Sequence, residues 1–210
     1  MGMSSGVQKE QEVARKQGKD DRLVQIYRGA AAIIHHNGYD ATSLQDIAEA
    51  IGLTKAGLYH YIQSKEQLLY EIMNYGMDRV ESVVITPARA VADPAQRMRT
   101  LAANYANLII ENGQPITIIL SESTGLTAAH LRKVIRRRRA FYEFVRDTIQ
   151  QLKDAGHVEG LDVSVTSLSV FGVMMWLAHW YQHEGRLTRE QVVDQITELT
   201  VVRMLGLPKA

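Results

Sequence analysis

Between Thr54 and Lys65 the chain holds a run of hydrogen-bond donors with no acidic residue among them. Thr54, Lys55, Tyr59, His60, Tyr61 and Lys65 alternate with the small residues Ala56 and Gly57. Lys55 can donate to guanine acceptors in a major groove. Gly57 lets backbone approach a surface closely. Tyr59, His60, Tyr61 and Lys65 can donate to phosphate oxygens. Upstream, Thr42 and the free amides around Ser43 open a helix, which is an anion-binding position. Leu58 and Ile62 sit in the same run as core residues, and either tyrosine can be drawn partly into the core with them.

A second cluster, Arg136 to Arg139, lies on a long amphipathic helix. Leu131, Ile135, Arg138, Tyr142, Val145, Ile149 and Leu152 recur at alternating steps of four and three, so Arg138 falls inside an inward seam. Arg136, Arg137 and Arg139 fall off it and are expected in solvent. A guanidinium facing a core requires an anion. A carboxylate such as Glu122 or Glu143 would serve, and so would the anionic group of a bound ligand. His179 and His183 are four apart and would share a helix face, but no third ligand stands near except Glu184, so no metal site is assigned.

Several chemistries are absent. There is no cysteine, which removes disulfides, thiolate zinc sites and cysteine nucleophiles together. No Gly-rich phosphate loop and no GxSxG occur, and no spacing selects a catalytic triad. The protein is therefore expected to be no enzyme, with no catalytic residue and no cofactor.

Helices must position these groups. Asp21 to Asn37 reads as a first helix with Leu23, Ile26, Tyr27, Ala30, Ile33 and Ile34 inward and Gly38 as its stop. Thr42 with Gln45 reads as a capping box opening a helix whose apolar face is Leu44, Ile47, Ala48 and Ile51, ended by Gly52. Thr54 caps a second short helix, Lys55 to about Ile62. Ser64 with Gln67 opens a third, which runs to Val84 and closes at Thr86-Pro87. Two short helices joined by a tight glycine turn form a helix-turn-helix, whose second helix enters the major groove.

Beyond lies a helical body. Asp93-Pro94 starts a helix ending near Asn112-Gly113, Pro115 starts a short one through Leu120, and Thr127 caps a long one to Ala155. Val163 to His183 is apolar almost all round, and Thr188 caps a last helix to Leu205. The fold is expected to be all-α with about nine helices. A helix apolar on every side must be covered on every side. A symmetric partner would supply the missing cover for Val163–His183, together with Val192, Ile196, Leu199 and Val202.

Composition sets outer limits. The 210 residues are 46% hydrophobic and 22% charged, with a formal net charge of +1. DNA affinity must then come from local charge placement. No apolar run near eighteen residues is read, so no membrane span is expected, and the N-terminus carries no apolar signal core, which points to the cytoplasm. Met1 to Asp20 reads as a mobile polar tail.

The run GLTKAGLYHYIQSKEQLL, within Leu23 to Tyr75, resembles the DNA-binding domain of TetR-type transcriptional repressors. That resemblance implies a helix-turn-helix unit over residues 21–66 and a ligand-binding, dimerising body over 67–210. It places operator contacts at Ser43, Gln45, Lys55, Gly57, Tyr59, His60, Tyr61 and Lys65. It also implies a mostly apolar cavity in the body, with Tyr105, Ile109, Ile119, Phe141, Tyr142, Met175, Trp176 and His179 as lining candidates. The segment WLAHWYQHEGRLTREQV is similar to repressors that sense acyl-coenzyme A thioesters or related lipid and aromatic acids, whose charge Arg138 or Arg139 would meet. A homodimer bound to a palindromic operator and released by such a molecule is the function implied. A regulator without an effector, or a helical small-molecule-binding protein that does not touch DNA, are the alternatives.

Overall fold

A computed structural model describes residues 4–121 and 124–209, with side chains left out at 4–17, 112–117 and 119–121. Among the described residues there are nine α-helices and two π-helical stretches, and no strand. The order is α1 Ser4–Asn37, α2 Leu44–Ala50, α3 Lys55–Tyr59, α4 Lys65–Val80, a π stretch Glu81–Ile85, α5 Thr86–Arg89, α6 Pro94–Ser121, α7 Ala128–Asp154, α8 Val163–Trp180, α9 Arg189–Thr197 and a second π stretch Glu198–Met204.

The first helix starts at Ser4, far ahead of the expected Asp21. Its leading segment holds no proline and is dominated by Gln, Glu, Lys, Arg and Ala, which are strong helix formers. Ile26, Ala30, Ala31 and Ile34 bury its inner stripe, and Gly38 takes a left-handed φ of 84° at its end.

Two capping boxes differ by one residue from expectation. Ser43, not Thr42, is the N-cap of α2: its hydroxyl accepts from Asp46 N–H, and Asp46 accepts in return from Ser43 N–H. Thr42 is buried and donates its hydroxyl to the Gly38 carbonyl at 2.7 Å. Ser64 caps α4 through Gln67 N–H, but Gln67 reaches back to Gln63 N–H rather than to Ser64. At Thr42 and Ser43 neighbouring hydroxyls satisfy the same local rule and packing chooses between them, whereas at Ser64 the cap is as expected and only the return bond moves.

The rod that follows does not stop at Pro87. Helical geometry continues through the π stretch into α5, with Pro87 in its first turn, where a missing N–H is tolerated. The wider π turn sets the later residues back by about one position. That keeps Val84, Ile85 and Ala88 buried on the side already used by Met77 and Val80.

Similarly, α6 runs unbroken through Gly113 and Pro115, where two helices were expected. Met98, Leu101, Ala102, Tyr105, Leu108, Ile109 and Ile118 are buried along it. It is the central element, packed against α1, α4, α7, α8 and α9. Burial on so many sides outweighs the local cost of glycine and proline, since tertiary packing overrides propensity. In contrast, the caps at Thr127, Asp162 and Thr188 begin α7, α8 and α9 through side-chain acceptance from His130, Val165 and Gln191 N–H.

The eighteen residues of α8 contain no Asp, Glu, Lys or Arg and have a mean hydropathy of 1.4. This corrects the expectation that no such run exists. Five small residues, Ser164, Thr166, Ser167, Ser169 and Gly172, interrupt its larger apolar side chains, which hid it as a run. The helix packs on α6 and α7 through Val170, Met174 and Leu177.

Candidate DNA interface and helical body

The recognition element is the five-residue helix α3. Thr54 accepts from Gly57 N–H at 3.0 Å and opens α3, while Leu58 alone anchors it in the core. A Cβ at Gly57 would approach the Thr54 hydroxyl at 3.2 Å, so this glycine also accommodates the cap. Gly52, at φ 67°, makes the turn between α2 and α3. Lys55, Ala56, Tyr59 and His60 are exposed together on one side. The expected extension to Ile62 is absent: α3 ends at Tyr59, and His60 is its C-cap.

The other expected DNA contacts separate into groups. Ser43 and Gln45 are exposed on the opening turn of α2, and Gln45 donates to Glu49 at 2.6 Å. Tyr61 is half-buried against the core. Lys65 lies 4.2 Å from the centre of the Tyr39 ring, with the Asp40 carbonyl 3.4 Å away. Thr42 is sealed in the core, so its side chain cannot reach a phosphate.

In the body, Tyr105 tilts against Phe141 at 5.8 Å, and Phe141 meets Phe171 edge-on at 5.1 Å. Tyr142 sits 6.2 Å from the same Phe171 ring. Burial pushes the Tyr105 hydroxyl well above its usual range, so it stays neutral. Ile109 is buried beside Tyr105 on α6, and Met175 is half-buried on α8. The side chain of Ile119 lies outside the described residues.

Trp176 and His179 do not join this group. They stack on each other at 4.5 Å on the outer side of α8, with Trp176 exposed. Nor does His183 share their helix face, because α8 ends at Trp180 and Tyr181 is extended.

Arg138 is the polar feature of the body. The inward stripe of α7 is Val134, Phe141, Val145, Thr148, Ile149 and Leu152. Ile135, expected inside, is exposed, so the seam is rotated slightly from the one inferred. Arg138 remains within it. Its Nε and Nη2 are shut off from solvent with no hydrogen-bond partner among the described residues. Burial draws its pKa below the ordinary arginine value. Glu143 is not its counter-ion, since Glu143 accepts from Arg139 at 2.8 Å; Glu122 lies outside the described residues. Arg137, expected in solvent, bonds to Asp78 at 2.6 Å and to Asn74, tying α7 to α4.

Sequence reasoning missed one junction altogether. Glu66 Oε1 accepts from Thr127 N–H at 2.9 Å and lies 2.8 Å from His130 Nδ1. The His130 ring stacks on Tyr70 at 3.8 Å. The partners are more than sixty positions apart, which no local spacing rule detects.

A capped three-helix head with an exposed donor face, continuous through α4 with a helical body, defines a helix-turn-helix DNA-binding regulator. The family described as "Bacterial regulatory proteins, tetR family" matches residues 26–72, and the "Tetracyclin repressor-like, C-terminal domain" matches residues 91–205. The chain belongs to the TetR family of bacterial transcriptional regulators, which are not enzymes. It is 25% identical over 178 residues to the HTH-type transcriptional repressor KstR2 of Mycobacterium tuberculosis, covering 84% of this chain and 89% of that protein. The crystal structure of AibR in complex with isovaleryl coenzyme A and operator DNA is 35% identical, with a TM-score of 0.77, and the match covers 86% of this chain and 98% of AibR. The structure of the ketosteroid transcriptional regulator KstR2 has the same fold at a TM-score of 0.79 and 23% identity, over 90% of this chain and 96% of that one.

Proposed function

We propose that the protein is a homodimeric repressor, acting in the cytoplasm, whose hold on a palindromic operator is released by an acyl-coenzyme A thioester or a related amphipathic acid. Residues 21–66 form its DNA-binding unit, and residues 67–210 its ligand-binding and dimerising unit. The observation that carries the effector is Arg138 on α7, whose Nε and Nη2 are buried with no hydrogen-bond partner among the described residues. A buried cation in that state is costly, and a carboxylate or phosphate from a ligand would offset the cost. AibR, similar over nearly its whole length, binds isovaleryl coenzyme A and operator DNA, which supports both halves of the reading.

The dimer is supported by α8. Val165, Leu168 and Trp176 are each at least 60% exposed, and Trp180 and Leu199 are exposed nearby. A second copy related by a two-fold axis would cover this face and set two recognition helices on adjacent half-sites.

The test starts with an operator selected from random duplex and a gel shift with and without acyl-coenzyme A esters of increasing chain length. Light scattering gives the mass of the free protein. A dimer released by one chain-length class supports the proposal. A monomer, or a DNA complex indifferent to every ester, acid and aromatic acid offered, removes it. The DNA-binding core of the interaction must also weaken steeply as salt rises.

A further inference from the structure

Glu66 occupies an unusual place. It is in the first turn of α4, separated from the recognition helix by the His60–Ser64 connection alone. Its carboxylate also faces the start of α7, where it takes the N–H of the N-cap residue Thr127. One carboxylate thus serves two helix N-termini, each of which favours negative charge. His130 adds a second bond from the first turn of α7 and is fixed in turn by its stack on Tyr70 of α4. The second α4–α7 tie, Arg137 to Asn74 and Asp78, lies further along both helices. The two ties hold α4 against α7 at separated points along both helices.

The same end of the body touches the head a second time, because Gly125 lies directly against the Tyr39 ring, over which Lys65 sits. A carboxylate with two partners at the entry to α4 is therefore placed to decide how the head is carried.

We infer that Glu66 is a positioning residue that bolts the start of α7 to the start of α4 and holds the recognition helix in its DNA-competent orientation. The inference rests on the DNA-binding role of the family and requires no effector. Removing the bolt lets the head sample orientations that do not fit a groove. Operator affinity then falls by the fraction of competent conformers.

The chain has no cysteine, so introduced ones can be spin-labelled cleanly. Exposed Ala50 on α2 and exposed Ala140 on α7 become Ala50→Cys and Ala140→Cys. Doubly labelled chains are diluted into excess unlabelled protein, so that intrachain distances alone are read by pulsed electron resonance. The expected result is one narrow distance in the parent and in Glu66→Gln, whose amide can still bond both Thr127 N–H and His130 Nδ1. Glu66→Ala should give a broadened or shifted distance and bind operator about tenfold more weakly.

His130→Phe keeps the ring stack and loses the bond to Glu66, so it should broaden the distance too. It decides the matter if Glu66→Ala does not fold. An unchanged narrow distance in Glu66→Ala, or in His130→Phe when that variant decides, overturns the inference. So does a broadened distance with undiminished operator affinity. None of these outcomes depends on whether an acyl-coenzyme A ester binds.

Discussion

Gly125 lies so close beneath the Tyr39 ring that a Cβ at position 125 would overlap it. The contact joins the α6–α7 connection to the turn between α1 and α2. Tyr39 is buried and cannot swing away freely. Gly125→Ala is expected to destabilise the protein by about 1–3 kcal/mol, the usual penalty for forcing added volume into a packed site. Urea unfolding measures it: the midpoint should fall while the slope stays the same. An unmoved midpoint would show that the ring can yield.

Lys55 and Tyr59 are exposed side by side on α3, so replacing either should leave the fold alone. Lys55→Ala is expected to lower operator affinity by about 1–3 kcal/mol and to relax preference at one base pair, as for a direct groove contact. Gel shifts on single-base variants of the operator read both effects. Uniform weakening across all variants, with a shallower salt dependence, would assign Lys55 to a phosphate instead.

Arg138→Met removes a partly buried guanidinium whose Nε and Nη2 have no partner among the described residues. Thermal stability of the ligand-free protein should rise or stay level, because methionine fills similar space without the desolvation cost. The rise in melting temperature given by an acyl-coenzyme A ester should disappear at the same time. A strong fall in ligand-free stability would place an internal anion beside Arg138.

The helix starts were readable wherever one cap stood alone. Thr54, Thr127 and Thr188 each announced a helix, because the bond from cap to N–H is made within three residues. At Thr42 and Ser43 two candidates stood together, and only burial of Thr42 resolves them. Breaker residues misled for the opposite reason. Pro87 and Pro115 and the glycine at 113 are local signals, yet packing of α4 and α6 on several neighbours decides there. The apolar character of α8 was legible all round, whereas Trp176 and His179, read as pocket-lining, lie on its outer side. Glu66 and His130 gave no signal at all, since their pairing exists only after α4 and α7 have packed.

Acid should reduce the stability that the Glu66 junction contributes. Burial pushes the Glu66 carboxyl up, but the bonds from the Thr127 amide and His130, with the charge of His130, outweigh it and hold the carboxyl below its ordinary value. Tyr70 stacks on His130, and Lys133 lies 5.6 Å from the Tyr70 ring. A depressed carboxyl contributes stability that is complete above about pH 4.3, the unfolded glutamate value, and is lost as pH falls through the folded value. Melting temperatures between about pH 3 and 6 should therefore drop less steeply in Glu66→Gln than in the parent. Equal slopes would show that the carboxylate gains nothing from its partners.

The π stretch Glu81–Ile85 acts as a one-residue spacer inside a rod that reaches from Lys65 to Arg89. Winding the same five residues as ordinary α-helix would instead turn everything beyond them by about 100°, the angle of one residue. Val84, Ile85 and Ala88 would then be dialled out of their seats, while the head kept its own. The spacer thus works like a keyed joint on a drive shaft: it fixes the angular phase between what reads the duplex and what surrounds α6.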